Sequence, residues 1–525
     1  MSETYDVVVV GGGTAGCIVA ARLSEDPGRS VLLIEAGPDY PTEVPAAVLE
    51  GRVVPMRGHA ADIDPRHDWG LAAEGAGGAS ISVPQGRLIG GGSAINGMIA
   101  LRGATADFRE WAERGNPRWD WAHVLAAYRA LEDDPAPGPD IHGRGGAFPI
   151  ARADEHEYAP LQAAFVQTCR ALGAKDQPDL NAPDAEGVGP APMNRVGTTR
   201  MSTATTHLAP ARGRPDLAVR GDLHVRRVTF DGSTATGVEL TDGTMIGAGE
   251  VILTAGAIQT PALLQRSGVG PAALLYGLGV PVLADLPVGE NLGDHFSVPL
   301  LAAPRDDAWS PEDFSLQTVL RTSTEAQPGA LDAQLTMFTY LNVATTEAGA
   351  RGLAGTAAEG LNHLAGVGCV LNKPRSVGTV RITSTDAGAL PRVIPGYLTE
   401  QVDRDAIREI VRLGWAVLTG EPLAGMLHEP IGLDAATVAD DAALDAAIEN
   451  MTASGYHFTG TCAMAPAERC GVVDQEGQVH GLARLRVADA SVIPVGPAAN
   501  TMLPTVMTAE RLAAAARGRS FPEAS

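Results

Sequence analysis

The chain has 525 residues, with 39 Lys plus Arg against 62 Asp plus Glu, a formal charge of −23. That length suits two large or three smaller domains, and 45% hydrophobic with 19% charged residues is ordinary for a globular chain with a sizeable core. The acidic balance repels phosphate backbones and lysine occurs only at Lys175 and Lys373, so neither nucleic acid nor a polybasic membrane patch is expected.

The first forty residues read strand, turn, helix, strand. Tyr5 to Val10 is a buried-strand run, Gly11-Gly12-Gly13 the turn, Thr14 to Leu23 a helix and Val31 to Ile34 a second strand. Continuous apolar runs suit a parallel sheet covered on both faces. Gly11-x-Gly13-x-x-Gly16 therefore follows a strand and opens a helix, with Glu35 closing the next strand. Gly11 permits the sharp turn, Gly13 lets backbone approach a pyrophosphate, and Gly16 lets helix pack on strand. The free N–H groups of the helix N-terminus face the phosphates, and the Glu35 carboxylate accepts from ribose hydroxyls. The pattern predicts a bound dinucleotide.

Residues 84–103 form a second glycine-rich tract with interleaved apolar residues, followed by a helix-like segment around Asp107 to Arg114. Residues 132–147 read as a long loop, and the alternation from Leu217 to Leu240 as hairpin strands. Val251 to Leu253 is another buried strand, followed by a turn at Gly256 and a helix over Pro261 to Gln265. Residues 302–360 are the least patterned. Gln401 to Leu418 is an amphipathic helix. A late strand ends Val487-Ala488-Asp489, where an acidic residue either holds a flavin ribityl chain or caps the next turn, and a helix follows from Pro504 to Ala516.

Rossmann-type elements thus sit at the start, middle and end of the chain. The expected architecture is α/β: a discontinuous dinucleotide-binding domain from residues 1–155, 190–300 and 450–525, and an α+β substrate domain with an antiparallel sheet from 156–189 and 301–449. The five cysteines lack C-x-x-C spacing, so no disulfide framework or metal site is expected and a cytoplasmic setting fits. No secretory signal or apolar run of membrane-spanning length is evident.

The tract Gly86 to Asn96 resembles the first signature of the glucose–methanol–choline (GMC) family of FAD-dependent oxidoreductases, and Gly256 to Gly270 resembles its second. Leu286 to His295, Tyr456-His457-x-x-Gly460-Thr461 and Asn500 to Thr505 are similar to further family blocks, in the same order. The resemblance spans most of the chain except roughly 302–360. It implies FAD, with Gly11, Gly13, Thr14, Ala15 and Gly16 along the pyrophosphate, Glu35 and Ala36 at the adenosine ribose and Val225 at adenine. Leu88, Gly92, Asn96, Gly97, Met98 and Ile99 would run along the flavin end, with Trp69 and Tyr456 nearby and Asp489 and Ala490 at the ribityl or pyrophosphate region. Some relatives attach flavin covalently through a histidine where this chain has Ile95, so the FAD is expected to be non-covalent.

The same resemblance singles out one of twelve histidines. His457 would be the general base for an alcohol proton, and Asn500 would hydrogen-bond the substrate oxygen. His142 and His295, also in family-like loops, are read as structural hydrogen-bonding residues. The implied reaction is oxidation of a CH–OH group to aldehyde or ketone, with oxygen or another acceptor taking the electrons. The overall pattern is most similar to bacterial members acting on primary alcohols, hydroxymethyl-aromatic ones among them. No acidic or aromatic cage for choline is evident. Two alternatives keep the fold: a hydroxynitrile-lyase-like enzyme with structural FAD, and a catalytically silent FAD-binding protein.

Overall fold

The computed structural model describes residues 3–52, 64–138, 140–342 and 363–519. Two seven-stranded sheets organise it. The first runs in the order Leu217–Arg220, Val31–Ile34, Glu3–Val10, Met245–Leu253, Thr234–Leu240, Val225–Asp231, with Leu485–Val487 beside Met245–Leu253. Its central strands are parallel: Val8 stands opposite both Leu32 and Val251. Strand Leu485–Val487, from the far end of the chain, adds in parallel to Val251–Leu253. Helix Thr14–Leu23 covers one face and packs on helix Met502–Ala516, an approach fastened by the ion pair Arg22–Glu510 at 2.8 Å.

The second sheet is antiparallel throughout, in the order Leu427–Ile431, Phe296–Pro304, His363–Leu371, Ala333–Asn342, Thr318–Thr322, Gly187–Pro190, with Ala453–Ser454 beside Phe296. Successive side chains of a strand point to opposite faces. Val298, Leu300, Leu335, Met337, Val367 and Cys369 are buried in one core with helix Gln401–Leu418. The alternate residues Ser297, Pro299, Gln334, Thr336, Phe338 and Val370 face a large cavity.

Three sequence readings change. Leu217–Arg220 is not part of a hairpin but pairs in parallel with Val31–Ile34, because its short run of apolar residues edges the buried sheet. The helix after Gly256 begins at that glycine and carries Pro261 inside it. The stretch 302–360 holds the end of Phe296–Pro304 and two whole strands of the second sheet, Thr318–Thr322 and Ala333–Asn342. Its alternation is masked because the cavity-facing positions are themselves partly apolar. The remainder of that stretch, 343–360, lies outside the described residues. Phe296–Pro304 and Ala453–Ser454 pair in the second sheet, and Ala72–Glu74 and Ser80–Ser82 join Thr379–Arg381 and Arg392–Ile394 in a four-stranded sheet.

Residues 132–147 are a loop closed by pairing of Glu132–Asp133 with Phe148–Pro149. Within it His142 meets Asp134 at 3.2 Å and Asp179 at 2.7 Å, while Arg152 bridges the same two carboxylates and Arg102 pairs with Glu132. Burial works against charge on His142, but bonds to Asp134, Asp179 and Glu132 outweigh it and push the imidazole up to about 10. These carboxylates favour its charged form.

Candidate active site

A cavity of about 350 Å³ runs from the first strand–helix turn to the cavity face of the second sheet. At its first end lie Gly11, Gly13, Thr14, Ala15, Glu35, Ala36 and Val225. The helix Thr14–Leu23 opens there with no capping side chain at Gly13, so its first-turn N–H groups face the cavity as a ready anion site. Gly91, at φ +49°, approaches so closely that a Cβ on it would stand 2.6 Å from the Gly13 Cα. The floor is therefore bare backbone. Glu35 receives Gly12 N–H at 2.8 Å and Gly37 N–H at 2.9 Å. Burial still dominates and raises its carboxyl to about 7. A buried carboxylate beside an uncapped helix N-terminus fits the ribose and pyrophosphate of a dinucleotide.

Asp489 spends both oxygens on the protein: Gly256 N–H and Thr260 Oγ1 on one, Ser491 on the other. Its side chain caps two helical turns while the residue still lines the cavity with Ala490. Gly92, Asn96, Gly97, Met98, Ile99, Trp69 and Tyr456 line the cavity as well. Two residues named from the sequence do not. A Cβ on Gly16 would stand 1.9 Å from the Gly11 carbonyl oxygen, so this glycine serves helix–strand packing. Leu88 is buried in a small cluster with Val48 and Ala94.

At the other end His457 and Asn500 meet, His457 Nε2 lying 3.2 Å from Asn500 Nδ2. Each is held by its own loop. Segment Ser454–Thr459 runs against 293–297: Gly455 N–H donates to the His295 carbonyl, and His457 N–H to Asp294 Oδ1 at 2.7 Å. Tyr456 takes a left-handed φ of +63°, a strained conformation for a bulky residue that turns His457 to the cavity. The Asn500 loop is pinned by Ala498, whose N–H donates to Asp107 and whose carbonyl accepts from Arg321. Gln334 Nε2 approaches Asn500 Oδ1 at 3.5 Å, orienting the amide with its NH2 toward the histidine.

Burial pushes the His457 imidazole down to about 4, so near pH 7 it is neutral and able to accept a proton. Beneath it, burial raises the Asp294 carboxyl to about 7 against the donors Ser454, Tyr397 and His457 N–H. His457 Nδ1 lies 3.0 Å from Nδ1 of His295.

Asp294, His295 and Gln334 escaped sequence reasoning as contributors to the site. The signal for the first two was a second histidine in a glycine-flanked block. For Gln334 it was the alternation Gln334-Leu335-Thr336-Met337.

The GMC oxidoreductase family models match residues 5–297 and 374–509. The chain is 35% identical to 5-(hydroxymethyl)furfural oxidase of Methylovorus sp. (strain MP688), covering 98% of this chain and 99% of the relative. It is 33% identical to oxygen-dependent choline dehydrogenase of Klebsiella pneumoniae subsp. pneumoniae, covering 98% and 96%. Pyridoxine 4-oxidase from Mesorbium loti superposes with a TM-score of 0.86 at 29% identity, covering 98% and 99% of the two chains.

Proposed function

The chain belongs to the GMC oxidoreductase family, and from that premise we propose that it oxidises an uncharged primary alcohol to the aldehyde with FAD. His457 is the base and Asn500 the oxygen-binding partner. The 3.2 Å approach of His457 Nε2 to Asn500 Nδ2 at the cavity wall carries this reading. A hydroxyl between them meets a neutral imidazole that takes its proton and an amide N–H that stabilises the charge left on oxygen. FAD, when bound, supplies the acceptor for the hydride leaving the carbinol carbon. Gly11, Gly13, Thr14 and Ala15 would hold its pyrophosphate, Glu35 its ribose, and Asn96 to Ile99 its flavin end. Ile95 lines the cavity without a nucleophilic atom, which supports non-covalent binding. The first sheet would carry the cofactor and the second roof the substrate.

The substrate class follows from what lines the second-sheet end: Ser297, Gln334, Thr336, Phe338, Val370 and Phe458, none of them ionisable. The charged lining residues Glu35, Arg266 and Asp489 come from the cofactor-side elements. A quaternary ammonium or a carboxylate would lose its hydration there without a counter-charge. A flat hydroxymethyl compound loses little. Family members similar to this chain act on hydroxymethylfurfural and choline by name; the neutral wall favours the first kind. Oxygen or another acceptor would reoxidise the enzyme, and buried reduced cysteines favour a cytoplasmic setting.

An anaerobic alcohol panel tests this. Hydroxymethyl-aromatic alcohols should bleach the flavin with a specificity constant at least about tenfold above that for choline, the 1.4 kcal/mol that one uncompensated charge readily costs. A preference for choline overturns the substrate class. Carbonyl release from a cyanohydrin without bleaching overturns the oxidation itself.

A further inference from the structure

The base has a second nitrogen, and it faces away from the substrate. His457 Nδ1 and His295 Nδ1, 3.0 Å apart, must share one proton. With Asn500 donating to Nε2, the His457 proton sits on Nδ1 and is donated to His295. His295 then carries its own proton on Nε2. That atom is buried and no acceptor among the described residues meets it with hydrogen-bond geometry, although the Pro497 backbone lies near enough to favour the protonated ring.

His295 does not line the substrate cavity. It lines a second one, of about 70 Å³, behind the His457 loop. At about 30 Å³ per water this space holds a short file of solvent. Its outer wall includes Arg114 and Arg375, with side chains 47% and 51% exposed. The two histidine rings therefore separate, and connect, the substrate cavity and a path to bulk water.

We propose that the proton taken from the alcohol leaves through this pair: His457 Nε2 gains the hydroxyl proton, its Nδ1 proton passes to His295 Nδ1, and the His295 Nε2 proton passes to water in the rear cavity. The proposal rests on His457 acting as the base. Each transfer breaks one N–H bond and forms one N–H or O–H bond. The two electrons leave separately with the carbinol hydride. Reoxidation by an acceptor that takes up protons draws the Nε2 proton from His457, runs the chain backwards and restores both tautomers. A bound substrate plugs the front cavity, so a rear exit is what lets the proton reach solvent during turnover.

The surroundings suit transit rather than storage. Burial, the His457 ring and Lys373 all hold His295 well below the ordinary imidazole value. Lys373 is itself paired with Asp107 at 2.8 Å and Glu110 at 3.3 Å, and Asp294 is engaged by Ser454, Tyr397 and the His457 backbone. No carboxylate contacts His295 to trap the proton among the described residues.

The test uses holoenzyme and two variants. His295→Asn keeps an acceptor for His457 Nδ1 but cannot relay. Gly496→Ala leaves both rings in place and sets a methyl 3.4 Å from His295 Nε2, where the first water belongs. Anaerobic stopped flow in weak buffer follows flavin bleaching and, through a pH indicator, proton appearance. In the wild type the two keep pace; in both variants proton appearance should lag by about tenfold or more, with FAD content unchanged. Synchronous signals in Gly496→Ala overturn the relay even if His295→Asn fails to fold. Imidazole ¹⁵N shifts of histidine-labelled protein judge it independently of turnover: His457 protonated on Nδ1 and His295 on Nε2 support it, the reverse pair sinks it. A wild type that no alcohol bleaches would sink the functional reading, while the ¹⁵N shifts still decide the tautomers.

Discussion

As the proposed ribose-binding residue, Glu35 would couple cofactor and pH. Burial lifts it to about 7, and the ionised form is the one that accepts from a ribose diol. Binding therefore selects the deprotonated state, and FAD affinity should fall as pH drops below 7, by up to about tenfold per unit. Titration calorimetry from pH 8 to 5.5 measures it, and Glu35→Gln should flatten the profile. In the cofactor-free chain the sign for stability is opposite. A raised carboxyl favours the folded state below its ordinary value of 4.5, and that contribution is lost as pH rises through 7. Asn500 makes a second case. If Asn500 is the proposed donor to the developing oxyanion, Asn500→Ala should drop the bleaching rate by about 10²–10³-fold with FAD retained. A loss under about threefold would remove Asn500 from the reaction. His457 and Asn500 were legible because each sits in a family-like block. His295 was legible only as a structural residue, since nothing in one dimension tells that its ring meets His457.

Strand periodicity explains the second sheet as a divider. Odd and even positions of Ala333–Asn342 send Leu335 and Met337 to the helix and Gln334, Thr336 and Phe338 to the cavity. Helix Gln401–Leu418 closes on that sheet at Gly414, where a Cβ would stand 2.3 Å from Cys369 Sγ and 3.2 Å from Leu300. Gly414→Val should therefore cost about 1–3 kcal/mol by overpacking, read as a fall in the thermal midpoint, while FAD stays bound. An unchanged midpoint would show that the helix shifts freely on the sheet. The helix itself was readable to its ends, because its apolar stripe is long and unbroken. The strands of 302–342 were not. The cavity face of such a strand mixes polar Gln334 and Thr336 with apolar Phe338, so the alternation that marks a solvent-facing strand shows only over the short run Gln334 to Met337.

Across the whole molecule the cofactor would be the piece that joins two bodies, because the cavity takes its walls from the first sheet and its roof from the second. A ligand that binds only the folded state stabilises it by mass action. Stripping FAD should lower the thermal midpoint, and adding it back at about 100 times Kd should restore about 2.7 kcal/mol. With Ile95 in place of an attachment residue, acid precipitation should leave all the yellow colour in the supernatant; colour in the pellet would reveal a covalent bond. Among the described residues no helix is long and apolar enough to cross a membrane.

The sequence alone determined the glycine-rich strand–helix turn, the amphipathic helix and the family, and it singled out His457 as the candidate base, since each is written in local spacing or in an ordered set of blocks. Tertiary structure alone decided that the second-sheet residues lining the cavity are uncharged, that Leu88 lies in a packing cluster off the cavity, and that His295 backs His457 toward a second cavity. Those facts depend on which side chains converge from far apart in the chain, as with Gln334 and Asn500, 166 residues apart, or Asp294 and His457, 163 apart. Convergence is set by sheet pairing and loop anchoring, which no local pattern encodes.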